Sequence, residues 1–103
     1  MLDKAVLVIS DLHAGSIYGM LPPDFTDSAD MPVSQNPAQK HLWKCWIDMC
    51  KAVSQTPEIV AVVLNGDLVD GMQQAQRGTE LSLPRLPDQA RAAISILTAL
   101  KTA

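Results

Sequence analysis

Two short apolar runs and two amphipathic stretches divide the chain. Residues 4–10 (Lys-Ala-Val-Leu-Val-Ile-Ser) and 58–65 (Glu-Ile-Val-Ala-Val-Val-Leu-Asn) are nearly continuous in apolar side chains and rich in β-branched ones. Neither alternates, which predicts strands buried on both faces, as in a parallel sheet. Between them, Leu42, Trp46, Met49, Cys50 and Val53 recur at spacings of three and four, which predicts a helix over 38–54. Pro37 suits its first turn, and Thr56-Pro57 should end it before the second strand. A second helix is expected from about Pro87 to Lys101. Asp88 stands near its start, and Ala90, Ala93, Ile94, Leu97 and Leu100 form its stripe. The order is β-α-β-α, which makes the chain an α/β protein with a parallel crossover.

The connections after the two strands are long. Residues 14–37 hold four prolines and several Asp and Ser, and residues 71–86 hold Gly71, Gly78, Pro84 and the polar run 73–77. Loops of this length inside a compact domain tend to carry function. These follow the strands and so lie over the carboxyl edge of the sheet, where open α/β sheets bind ligands. Two parallel strands with two helices bury little surface and leave two edges open. The expectation is that residues 1–103 are incomplete, a truncated product or one piece of a larger assembly, and marginal or aggregation-prone alone.

Composition narrows the class. Apolar residues make up 48% of the 103 residues and charged ones 18%, with a net charge of -3. That excludes a disordered composition. No Lys/Arg cluster marks a nucleic-acid footprint, although a locally recognised nucleic acid stays open. No apolar run approaches the roughly 20 residues of a membrane helix, and the N-terminus does not read as a signal peptide. A cytoplasmic location is expected. Cys45 and Cys50, five apart on a helix, point about 140° apart around its axis. They do not pair, and they are expected on a buried face in a reducing compartment.

Candidate chemistry sits directly after each strand. Asp11-Leu12-His13 follows the first. In an extended segment Asp and His two apart project to the same side, and a carboxylate with an imidazole suits Mn, Fe or Zn. Alone, Asp-x-His is a weak signal and reads more readily as a turn-capping Asp beside a surface His. Asn65-Gly66-Asp67-Leu68-Val69-Asp70-Gly71 follows the second strand. Gly66 allows a tight turn, Asp67 sits at the strand end, and Asp70 can orient a neighbouring group. This heptad too reads alone as a glycine-bracketed turn capped by Asp70. The pair is more specific than either part. Adjacent parallel strands would bring Asp11, His13 and Asp67 to one spot, where two carboxylates call for a cation.

Together, Val-Ile-Ser-Asp11-Leu-His13 and Asn-Gly66-Asp67-Leu-Val-Asp70-Gly71 resemble the first two motifs of the calcineurin-like metallophosphoesterases, in order and in position after two strands. The resemblance implies the opening part of an αββα sandwich. It implies two divalent ions (Mn, Fe or Zn), with Asp11 and His13 on the first and Asp67 bridging. Asp70 matches a supporting position. The family's Gly-Asn-His-Asp/Glu and Gly-His-x-His motifs do not occur in this sequence, and His41 matches none of them. The ligands peculiar to the second ion, and the histidine that would assist the leaving group, are therefore missing here.

The leading expectation is a hydrolase acting on a phosphomonoester or phosphodiester, or the N-terminal portion of one, with the fragment alone inactive. Arg77, in the second loop, is a candidate for meeting substrate phosphate, and also reads as a solvated loop residue. The alternative is a non-catalytic remnant or binding module of the same half-fold. A nucleotide-binding α/β domain is disfavoured, because no Gly-x-Gly-x-x-Gly or Gly-x4-Gly-Lys-Ser/Thr loop follows either strand.

Overall fold

The computed structural model describes residues 4–55, 58–71 and 81–102. The elements run β1 (Ala5–Ile9), β2 (Phe25–Thr26), β3 (Pro32–Val33), α1 (Pro37–Ser54), β4 (Ile59–Leu64) and α2 (Leu86–Thr102). β1 and β4 pair in parallel, in the register Leu7↔Val62, Val8↔Val63 and Ile9↔Leu64. The result is a small mixed α/β unit whose strands and helices lie within two residues of their expected bounds. Thr56-Pro57 and the stretch 72–80, which includes Arg77 and Gly78, lie outside the described residues.

The 14–37 segment departs from a plain loop. Phe25-Thr26 pairs antiparallel with Pro32-Val33 in a short hairpin. Its turn is built by Asp27, whose Oδ1 accepts from the backbone N–H groups of Ala29 (2.9 Å) and Met31 (3.0 Å). The density of Asp, Ser and Pro that read as loop is the chemistry of a tight turn. The hairpin is clamped to α2. Arg91 Nη2 donates to Thr26 O (2.9 Å) and Asp88 Oδ1 (3.1 Å), and Ser28 Oγ donates to Asp88 Oδ2 (3.2 Å). The Arg91 guanidinium also lies 5.1 Å from the centre of the Phe25 ring. Burial alone would raise the Asp88 carboxyl, but the Arg91 and Ser28 hydrogen bonds outweigh it and hold it below the usual carboxylate range.

The core gathers Ile9, Leu12, Leu21, Phe25, Trp46, Cys50, Leu83, Ala92, Ala93 and Ile96. Trp46 ties the helices together, its indole N–H donating to Ile96 O at 3.0 Å. On α2 the buried stripe is Gln89, Ala92, Ala93 and Ile96, while Ala90 and Ile94 face outward. The expected stripe was thus rotated, because buried Asp88 and Gln89 occupy the inward face at the helix start. Only Cys50 is buried and Cys45 is exposed, which corrects the expectation of a buried face for both.

The strands are not buried on both faces. Side chains alternate across a strand, so Val6, Val8, Ala61 and Val63 share one face, and Val6 and Val8 are 54% and 61% exposed. On the opposite face Ile9 is buried, yet its neighbour Leu64 is 46% exposed. One face of β1 is therefore partly covered, most fully at Ile9, and β4 is left largely bare. The continuous apolar runs are consistent with strands meant for two covered faces, of which this chain covers one in part.

The bare face generates a prediction. The chain should scatter light increasingly with concentration, and the double substitution Val8→Thr with Val63→Thr should reduce that scattering while leaving the far-ultraviolet circular dichroism unchanged.

Candidate metal centre

The ladder between the two strands does not stop where the strands end. Asn65 N–H donates to Ile9 O (2.8 Å), Asp11 N–H to Gly66 O (3.1 Å), His13 N–H to Asp67 O (2.9 Å) and Ala14 N–H to Leu68 O (3.0 Å). Asp70 N–H then returns to Ala14 O at 2.9 Å. The two motifs are thus stitched to one another residue by residue through their backbones.

Within this stitched segment the chain turns. Asp11, His13 and Asp67 all have positive φ, at 60°, 46° and 53°. Asp and His tolerate that region better than most residues, at a cost of roughly 1–2 kcal/mol each. The expected extended Asp-x-His geometry is therefore corrected: left-handed turns, not strand alternation, aim the two side chains together. Gly66 at φ 106° opens the second turn, which an L side chain would strain. Gly19 serves by closeness, since a Cβ there would run into the His13 carbonyl oxygen.

Asp11, His13 and Asp67 each offer a donor atom, and the three atoms lie within 4.8 Å of one another. His13 Nε2 is 3.5 Å from Asp11 Oδ1. Its other nitrogen, Nδ1, is 3.2 Å from Asp70 Oδ1. Asp70 thus holds the ring by Nδ1 and leaves Nε2 turned toward the carboxylates, the arrangement that orients a metal-binding imidazole. Donors bonded at about 2.1 Å to one ion lie no more than about 4.2 Å apart, so at most a small adjustment would bring all three onto one ion. The chemistry of the set, two carboxylates and one imidazole, fits a borderline divalent cation.

Asp11 and Asp67 are exposed and His13 is half-buried, so the cluster is open to solvent. The Asp11 carboxyl is held below the usual carboxylate range, chiefly because Ser10 Oγ donates to its Oδ2 at 2.7 Å. Loss of solvent opposes this, and neighbouring Asp67 and His13 add lesser lowering effects. Ionised Asp11 is the form that a cation needs.

Two residues that the sequence did not single out support the site from behind. Gln89, fully buried, accepts from Gly71 N–H (2.8 Å) and donates to Gly71 O (3.1 Å) and Leu83 O (2.8 Å). It fixes the residue next to Asp70 to the start of α2. Gln39 closes the capping box of α1 with Asn36 and also donates to Ser16 O at 3.2 Å, while Asn36 Nδ2 donates to Ile17 O at 2.8 Å. The Asn36-x-x-Gln39 pattern of a capping box was the available signal for Gln39. A lone Gln near a helix start gave none for Gln89. Of the sequence-derived candidates, the fold brings Asp11, His13, Asp67 and Asp70 together, and Arg77 lies outside the described residues.

No family model, curated protein or solved structure matches this chain.

Two outcomes test this geometry. Gln89→Leu leaves the Gly71 and Leu83 backbone groups without these partners, so it should cost about 1–3 kcal/mol in urea unfolding. Ser10→Ala should return the Asp11 carboxyl upward, toward its ordinary value, in a carboxylate NMR titration. Because the Ser10 bond favours ionised Asp11, any stabilisation it gives is present above the ordinary carboxylate range and lost as pH falls through the lowered value.

Proposed function

We propose that this chain contributes one side of a metal centre that hydrolyses phosphate esters, as in the calcineurin-like metallophosphoesterases its two motifs resemble. The observation that carries the reading is the convergence of Asp11, His13 and Asp67 at the carboxyl ends of two adjacent parallel strands, with Asp70 on the far nitrogen of His13. In this reading Asp11, His13 and Asp67 would hold the metal, with Asp67 shared if a second ion binds. A bound divalent ion would polarise a phosphoryl oxygen and acidify a water molecule. The residues themselves supply negative charge, a fixed imidazole and a site open to a bulky ester. In this reading the parallel β1–β4 pair would belong to the opening portion of an αββα sandwich. Both phosphomonoesters and phosphodiesters fit this chemistry, and the expected compartment is the cytoplasm.

A second reading comes from the donor count. Among the described residues, three donors gather at the centre. Three ligands hold one divalent ion weakly, with water completing the shell, so residues 1–103 by themselves would act as a metal-binding module without turnover.

Calorimetry with Mn2+ separates these ideas from a plain pair of turns. The chain should bind Mn2+ weakly, and Asp67→Asn should weaken binding by at least about tenfold, since a charged ligand becomes a neutral amide. Hydrolysis of a generic aryl phosphodiester by this chain should be slight or undetectable. Unchanged Mn2+ binding in Asp67→Asn would reduce the second motif to a turn, and robust turnover would mean that further ligands exist.

A further inference from the structure

A separate pair of metal-ligating side chains stands on the outer face of α1. His41 and Cys45 are four residues apart, the spacing that stacks side chains one above the other on a helix. Both are exposed, and His41 Nε2 lies 3.6 Å from Cys45 Sγ. Bond lengths of about 2.3 Å to sulfur and about 2.05 Å to nitrogen, opened to the tetrahedral angle of about 109°, place two donors about 3.6 Å apart on one zinc ion. The helix therefore holds nitrogen and sulfur at the bite of a tetrahedral chelate without any change of backbone.

We propose that His41 and Cys45 form a surface chelate for a thiophilic divalent cation of the zinc and cadmium class. The pair differs in kind from the carboxylate-rich centre at the strand ends, because a thiolate selects softer ions than a set of two carboxylates and an imidazole does. Binding converts the thiol to a metal-bound thiolate and releases its proton to solvent, while neutral His41 donates the Nε2 lone pair. Two protein ligands leave the remaining coordination positions to water or to an outside donor. Cys50 does not compete, because it is buried and burial pushes its thiol pKa up.

The probe is Cd2+ added to the full chain, read by the ultraviolet thiolate-to-cadmium charge-transfer band, which carboxylate and imidazole ligands do not produce. The band should grow to saturation in the parent chain, persist in Cys50→Ser and Asp67→Asn, and vanish in Cys45→Ser. His41→Gln should keep the band and weaken the affinity at least about tenfold, as expected when one of two ligands is lost. Absence of the band in the parent chain, or its survival in Cys45→Ser, would overturn the site. An unchanged affinity in His41→Gln would also overturn it, since the thiol would then bind alone and the 3.6 Å contact would be only a thiol–imidazole hydrogen bond. Mn2+ binding at the strand ends should not change in Cys45→Ser, so the fate of this pair is decided independently of the phosphoesterase reading.

Discussion

Everything at the candidate centre depends on a parallel backbone ladder that outlasts its strands. β1 and β4 are regular only to Ile9 and Leu64, yet hydrogen bonds continue through Asp11, His13 and Ala14 on one side and Gly66, Asp67 and Leu68 on the other. Two loops joined only at their bases would sample many relative positions, at a cost of roughly 1–2 kcal/mol of backbone entropy per residue fixed. Here that cost is met by backbone bonds formed within the motifs, before any ion is present. The side chains of Asp11, His13 and Asp67 thus inherit their proximity from the main chain.

The helices secure this arrangement through their first turns. Gln39 in α1 and Gln89 in α2 are buried amides that bond the backbone of the loops after β1 and β4. A buried amide is costly unless its donors and acceptors are met, so each glutamine accepts only a narrow range of loop positions. Packing of the helices, through Trp46 and Ile96, is in this way transmitted to the turns that present Asp70 and His13. Packing, capping and site geometry are one connected arrangement rather than separate layers.

The sequence made much of the frame readable, for physical reasons that also mark its limits. Strands and helices were legible because continuous apolar runs, helical periodicity and a proline in the first turn of α1 are local signals. The gathering of Asp11, His13 and Asp67 was legible because motif order and strand order together imply adjacency. The hairpin at Phe25–Val33 was not, since two-residue strands carry no periodicity and its Asp and Pro residues read as loop. The inward stripe of α2 was misplaced by one position because Asp88 and Gln89, polar residues, take buried sites that a hydrophobic count assigns to Ala90 and Ile94. The bare faces of β4 were likewise invisible, because an apolar run states what a strand prefers and not whether a neighbour is there to cover it. The left-handed turns at the ligands are a property of the paired loops and have no signature in one motif alone.

Those turns bear on how other sequences should be compared with this one. Positions at φ near +50° to +60° favour glycine, asparagine, aspartate and histidine for conformational reasons alone. A chain that had lost all affinity for cations would still be drawn toward the same few residue types at the positions of Asp11, His13 and Asp67, simply to keep the loops folded. Recurrence of Asp-x-His and Gly-Asp in another protein therefore carries two messages, one about chain conformation and one about chemistry. Only the second distinguishes a metal centre from its inert copy. The discriminating position is Asp70, where the carboxylate turned to His13 matters and no left-handed turn requires it.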